Sequence, residues 1–95
     1  MNPDEIALNA SELIVGNSYL AIFGEWLYDS SNPEIAYKQK YIYEKNLKFI
    51  FLGMENDDCI HNNMSLTIIK VLVNGKIKFI FRENFSLNNY RFHNL

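Results

Sequence analysis

One cysteine, two prolines, four glycines and two arginines in 95 residues leave several architectures without their materials. A single cysteine cannot close an internal disulfide, which excludes a small secreted scaffold held by disulfides. Structural zinc sites built on four cysteines, or on two cysteines and two histidines, fail on the same count. Four scattered glycines supply neither GxGxxG nor GxxxxGK[ST], so phosphate-cradling loops are missing. Apolar runs such as Phe49-Ile50-Phe51-Leu52 fall far short of the ~20 residues that a membrane-spanning helix requires. The acidic start Met1-Asn2-Pro3-Asp4-Glu5 has neither the positive charge nor the apolar stretch of a signal peptide.

Base is missing too, from one end of the chain. Residues 1–37 hold six acids (Asp4, Glu5, Glu12, Glu25, Asp29, Glu34) and no lysine or arginine. Residues 38–95 hold all nine bases with five acids. A net charge of −2 therefore hides a chain that is −6 in its first part and +4 in the rest.

What is present is 48% hydrophobic and 21% charged, a globular composition, in a length that makes residues 1–95 a single domain. Asn, Ile, Lys, Tyr and Phe are abundant, whereas Gly, Ala, Arg and Pro are few. The abundant residues have codons rich in A and T, which points to an AT-rich genome such as that of a low-GC bacterium, its phages or plasmids. The expected location is the cytoplasm of a bacterial cell or of an infected host cell.

Along the chain, Asn2-Pro3-Asp4-Glu5 has the cap, the first-turn proline and the acids that open a short N-terminal helix. Tyr19–Phe23 reads as a buried strand stopped by Gly24, and residues 24–36 read mostly as a long loop. Residues 47–54 form an aromatic and β-branched run, a further strand. Glu55-Asn56-Asp57-Asp58 begins a polar loop that reaches about Met64. Asn74-Gly75 favours a type I′ turn, giving a hairpin of about 66–73 and 76–82 with Val73 opposite Lys76. Ile68, Leu72, Ile77, Phe79 and Phe81 share one face of it with Lys70, and this is the expected core face. Ile69, Val71, Val73 and Ile80 share the other with Lys76 and Lys78, expected to be half-covered. A second copy of the chain would supply that cover as a homodimer. Asn88-Asn89 marks a turn before a short final strand, Tyr90–His93.

The segment between is read in two ways. Asn32-Pro33-Glu34 is a good helix opening, and a helix near 33–45 would make the fold α+β. Tyr37, Tyr41 and Tyr43 share a face only under a period of two, which favours a strand over roughly 38–44 turning near Lys45-Asn46. The expected fold is therefore mainly β: a small antiparallel SH3-like barrel, or a curved sheet of five to six strands, with room for the short N-terminal helix. The element order resembles SH3-like small barrels, in which a long first loop and a tight distal hairpin recur, and Leu27-Tyr28-Asp29 echoes one fragment of their signature. An oligonucleotide-binding barrel would want a helix where residues 54–65 are short and polar.

Chemistry-bearing residues are sparse. Cys59 and His61 follow Asp57 and Asp58, but the only other histidine is His93, so no metal site and no cofactor are expected. The two aspartates disfavour a thiolate at Cys59, which argues against a nucleophile. Glu25 and Asp29 could serve as paired carboxylates only in a site walled off from water, which a chain this small hardly provides. No enzyme is expected. Binding is the better reading. Glu25, Trp26, Tyr28 and Asp29 place two interface-favoured aromatics in an acidic loop, a candidate surface for a protein partner with a basic surface. The competing place for Trp26 is as a cap on the end of the core. The alternative is a nucleic-acid face of Lys38, Lys40, Tyr41, Tyr43, Lys45 and Lys48, where cations alternate with rings that stack on single-stranded bases. Size, composition and charge polarity together suggest a stoichiometric inhibitor of a host nucleic-acid machine, encoded by a phage or mobile element, of the anti-CRISPR or another anti-defence type. No membrane partner is expected.

Overall fold

Five antiparallel strands in the order β6-β5-β4-β1-β7 make one sheet, and β2 pairs with β3 in a second, two-stranded one. The computed structural model describes residues 7–61, 64–83 and 91–95, with side chains among these except at 57–61, 64 and 65. The elements are a 3-10 turn at Ala10–Glu12, β1 (Ser18–Ala21), β2 (Glu25–Leu27), α1 (Pro33–Ala36), β3 (Ile42–Glu44), β4 (Leu47–His61), β5 (Met64–Val73), β6 (Lys76–Glu83) and β7 (Phe92–Asn94). The protein is mainly β, and the sheet is not closed into a barrel. The expected N-terminal helix at residues 2–5 and the Asn88-Asn89 turn lie outside the described residues.

The hairpin follows its turn chemistry. Asn74 and Gly75 both have positive φ (51° and 78°), and the register runs from Val73 opposite Lys76 to Leu66 opposite Glu83. Helix and strand both occur in the ambiguous segment. Asn32 caps α1 by accepting from the Glu34 N–H at 3.0 Å, Pro33 occupies the first turn, and the helix stops after four residues. The strand that follows covers only Ile42–Glu44, and it pairs with β2 rather than turning into β4. At Lys45-Asn46 the chain crosses from the small sheet to the large one, with Asn46 at φ 50°.

Three expectations are corrected. The polar stretch 55–61 is strand, because the backbone goes on pairing with β5 (Glu55 opposite Ile68, Asn56 opposite Thr67) past the last residue of β4 that β1 covers, Ile50. Strand pairing needs no apolar side chain where water reaches the surface. Residues 24–36 are not mostly loop, since β2 and α1 both lie in them.

The third correction concerns the hairpin's faces: the principal core face is the other one, although Ile68 on the expected face is buried as well. Ile69 and Val71 are fully buried and Ile80 nearly so, whereas Ile77 on the opposite face is 49% exposed. The inner face packs on Tyr19, Phe49, Phe51 and Phe92, with Ala10, Leu13 and Leu27 closing over them. The bulk of Phe79 and Phe81 pointed the wrong way; the position of the lysines was the sounder signal. Lys70 stands in the middle of its strand and is exposed, which makes its face the outer one, although Leu66 and Ile68 on that face are buried and Phe79 and Phe81 half-buried. Lys76 escapes at the turn, and Lys78 reaches Asp29 from the sheet edge. The face that was to be covered by a second copy is the core itself, which removes that argument for a homodimer.

Paired alanine substitutions separate the two faces. Ile69→Ala should cost about 2–5 kcal/mol of unfolding free energy, as a cavity in a packed core does, and Ile77→Ala less than about 1 kcal/mol. Urea unfolding of both variants measures the difference, and similar losses would contradict the assignment.

Candidate functional site: an outward aromatic ribbon

Strand alternation sets the site. In β2, Glu25 and Leu27 point inward and are buried, which turns Trp26 outward. Tyr43 of β3 stands directly opposite Trp26. Tyr28 follows β2 and forms a backbone bridge with Phe79 on the free edge of β6, donating to and accepting from it at 2.9 Å each way. That bridge lays the Tyr28 ring on Phe81, with centroids 4.9 Å apart.

The result is one continuous ribbon of six rings. Trp26 contacts Tyr43 (5.1 Å) and Tyr41 (5.2 Å), Tyr41 contacts Tyr28 (5.1 Å), and Tyr28 contacts Tyr37 (5.5 Å) and Phe81. Tilted and edge-to-face pairs of this kind contribute about 0.5–1.5 kcal/mol each beyond burial. Yet Trp26, Tyr37, Tyr41 and Tyr43 remain 42–49% exposed. Trp26 is therefore a surface residue and does not cap the core.

Local features hold the ribbon in place. The Tyr43 hydroxyl donates to the Phe23 carbonyl. Gly24, at φ 88°, lies directly beneath Tyr43: a Cβ there would meet the Glu44 carbonyl oxygen at 2.5 Å and the Tyr43 ring at 2.9 Å. Burial raises the phenol pKa of Tyr28, with Tyr37 and Tyr41 adding to the effect, and burial followed by Glu83 raises that of Tyr37. Both hydroxyls stay protonated through the physiological range and can donate.

Below the ribbon, Glu25 (6% exposed) pairs with the Arg82 guanidinium of β6, and Arg91 stands 4.0 Å from the same carboxylate. Arg82 also lies 5.6 Å from the centre of the Phe92 ring. Burial pushes the Glu25 carboxyl above the usual range, against the pull of the two arginines, and burial lowers Arg82. Asp29 pairs with Lys78 on the surface.

The two sequence-derived candidates are thus one surface in part. Trp26 and Tyr28 from the first meet Tyr41 and Tyr43 from the second, and exposed Lys38, Lys40 and Lys45 flank them in the chain. Glu25 is drawn inward and Asp29 is tied to Lys78. Lys48 sits on β4 opposite Leu20 and lines a different depression with Ser18, Ile50, Leu72 and Leu95. Tyr37 and Phe81 complete the ribbon. Phe81 was missed because its face was assigned to the core. Among the described residues no three His, Cys, Asp or Glu side chains gather to hold a metal, and no helix is long and apolar enough to cross a membrane. The Cys59 and His61 side chains lie outside the described set.

The raised Glu25 pKa fixes the sign of a pH effect. The folded state holds this proton more tightly than the unfolded state does, so the contribution to stability is full at low pH and is lost as pH rises through the raised value. Glu25→Gln removes the titration and keeps an acceptor for Arg82. Relative to that variant, wild type should lose stability as pH rises above about 4.5, the ordinary value for the carboxyl. Urea unfolding across a pH series measures it, and a constant difference between the two proteins would contradict it.

No family model, no curated protein and no solved structure matches this chain.

Proposed function

We propose that this protein is a non-enzymatic binding module that captures another protein stoichiometrically through the aromatic ribbon. The carrying observation is the continuity of six rings, four of them more than two-fifths exposed, on the outward side of β2 and β3. Trp and Tyr are the residues most enriched at the energetic centres of protein interfaces. Recognition rests on the rings rather than on net charge. The acids that argued for a basic partner surface, Glu25 and Asp29, are engaged within the chain, and exposed Lys38, Lys40 and Lys45 stand beside the rings in sequence with exposed Glu34. The narrower form of the reading, a phage or mobile-element inhibitor of a host nucleic-acid machine, rests on composition, size and charge polarity.

One observation favours a second reading. Lys38, Lys40 and Lys45 adjoin Tyr41 and Tyr43 in the chain and form no ion pair among the described residues, an arrangement suited to single-stranded nucleic acid. Against it stands the sequence pI of about 5.6.

Trp26→Ala combined with Tyr41→Ala should abolish capture of a partner by the immobilised full-length chain while lowering unfolding free energy by only about 1–3 kcal/mol. Capture from a cell extract, compared between wild type and a Lys48→Ala control, reads the first outcome, and urea unfolding the second. A partner retained by the double variant would sink the proposal. A fluorescent deoxythymidine oligonucleotide separates the readings: binding that weakens steeply with salt and is lost on replacing Lys38, Lys40 and Lys45 supports nucleic acid instead.

A further inference from the structure

A second concavity, of different chemistry, lies on the outer face of the large sheet. The register of β4 against β5 shifts between Phe51, opposite Val71, and Gly53, opposite Lys70, so one extra residue bulges out at Leu52. Gly53 takes φ 148°, a conformation that glycine adopts without strain. Bulges re-aim side chains and recur beside binding sites. This one opens a cavity of about 340 Å³ with an apolar wall of Leu52, Ile68 and Phe79. Ser31, from the loop between β2 and α1, stands on the other side.

Charge identifies the occupant. Glu55 and Lys70 complete the lining; both are exposed, and neither forms an ion pair among the described residues. They stand on adjacent strands in neighbouring outward positions, Glu55 opposite Ile68 and Lys70 opposite Gly53. An apolar pocket with one anion and one cation at its mouth matches a small molecule that has an apolar body and both charges. A fatty carboxylate would be repelled by Glu55, and an apolar amine by Lys70. We propose that the cavity binds a free apolar α-amino acid. Its carboxylate meets Lys70, its ammonium meets Glu55, and its side chain enters among Leu52, Ile68 and Phe79. The volume falls at the small end of the ~300–1,000 Å³ usual for ligand pockets, as suits a ligand of this size. The site uses none of the exposed rings of the ribbon and stands independently of the protein-binding reading.

Titration of ¹⁵N-labelled protein with three probes tests it: L-leucine, N-acetyl-L-leucine (which lacks the ammonium) and L-leucinamide (which lacks the carboxylate). Amide shifts at residues 52–55, 68–70 and 79 report occupancy. Leucine should bind with Kd on the order of 1 mM, the range open to a ligand of about nine non-hydrogen atoms. Each truncated probe should bind about tenfold more weakly, having lost one charge-assisted contact. Lys70→Met should erase the preference for leucine over leucinamide, and Glu55→Gln the preference over N-acetyl-leucine. Both positions are exposed, and a dispersed spectrum verifies that each variant is folded. Equal shifts from all three probes, no leucine-dependent shift up to about ten times the expected Kd, or leucine binding unchanged in both variants would overturn the proposal.

Discussion

Two backbone hydrogen bonds between Tyr28 and Phe79 hold the small sheet to the large one, and the surface described above depends on them. They extend the strand order beyond β6, so that β2 and β3 continue the same wall although they form a separate sheet. Once Tyr28 is fixed against Phe79, alternation decides the rest. Tyr28 and Trp26 face outward, and Leu27 and Glu25 face the core. Glu25 then arrives beside Arg82, its partner from the neighbouring strand. A three-residue strand has little pairing energy of its own, so the bridge and the buried ion pair act together to keep β2 in register. Buried ion pairs recover little net energy after desolvation, but leaving one member unpaired is costly, which makes them better at selecting an arrangement than at stabilising it.

The same contacts change the meaning of the charge polarity. Along the chain the acids precede the bases, as though two surfaces of opposite sign would result. In the fold, Glu25 meets Arg82 and Arg91, and Asp29 meets Lys78. Each of these pairs joins the acidic first part to the basic remainder. Part of the asymmetry is therefore internal complementarity, which helps the N-terminal third find the edge of the hairpin. Among the described residues, the charges left to act on other molecules are those without an ion pair in the chain, and Lys38, Lys40, Lys45 and Lys48 are a run of them within one segment.

How much of this was legible in the sequence follows from how local each determinant is. The hairpin register was readable because Asn74-Gly75 fixes it within two residues. The Asn32-Pro33-Glu34 helix start was readable for the same reason, although nothing local showed that the helix would stop after one turn. β2 was not readable. Gly24, Asp29, Ser30 and Ser31 surround it with turn residues, and its three residues become strand only because Tyr43 and Phe79 lie alongside. That hidden strand is also why the site was split. Trp26 and Tyr41 stand fifteen positions apart, and only the β2–β3 pairing brings their rings to 5.2 Å. The misassigned core face of the hairpin is a different kind of error. Apolar bulk was weighed above the single mid-strand charge at Lys70, and the charge was the stricter constraint because it has no way to reach water from the core.

A ribbon of mutually packed rings has a consequence for how it can recognise anything. Rings that already touch edge to face, with Tyr43 anchored on the Phe23 carbonyl, have lost much of their side-chain freedom before a partner arrives. Binding then costs little further ordering, the advantage that rigid aromatic side chains give to binding surfaces generally. Rigidity also limits discrimination, because an aromatic surface is adhesive toward many apolar segments. Selectivity has to come from the charged rim, where exposed Lys38, Lys40 and Lys45 and exposed Glu34 stand beside the rings in the chain. Those same charges keep the exposed edge of β3 from pairing with another strand. The rim thus does two things at once: it protects an adhesive surface from other copies of the chain, and it sets which partner can come close enough to use that surface.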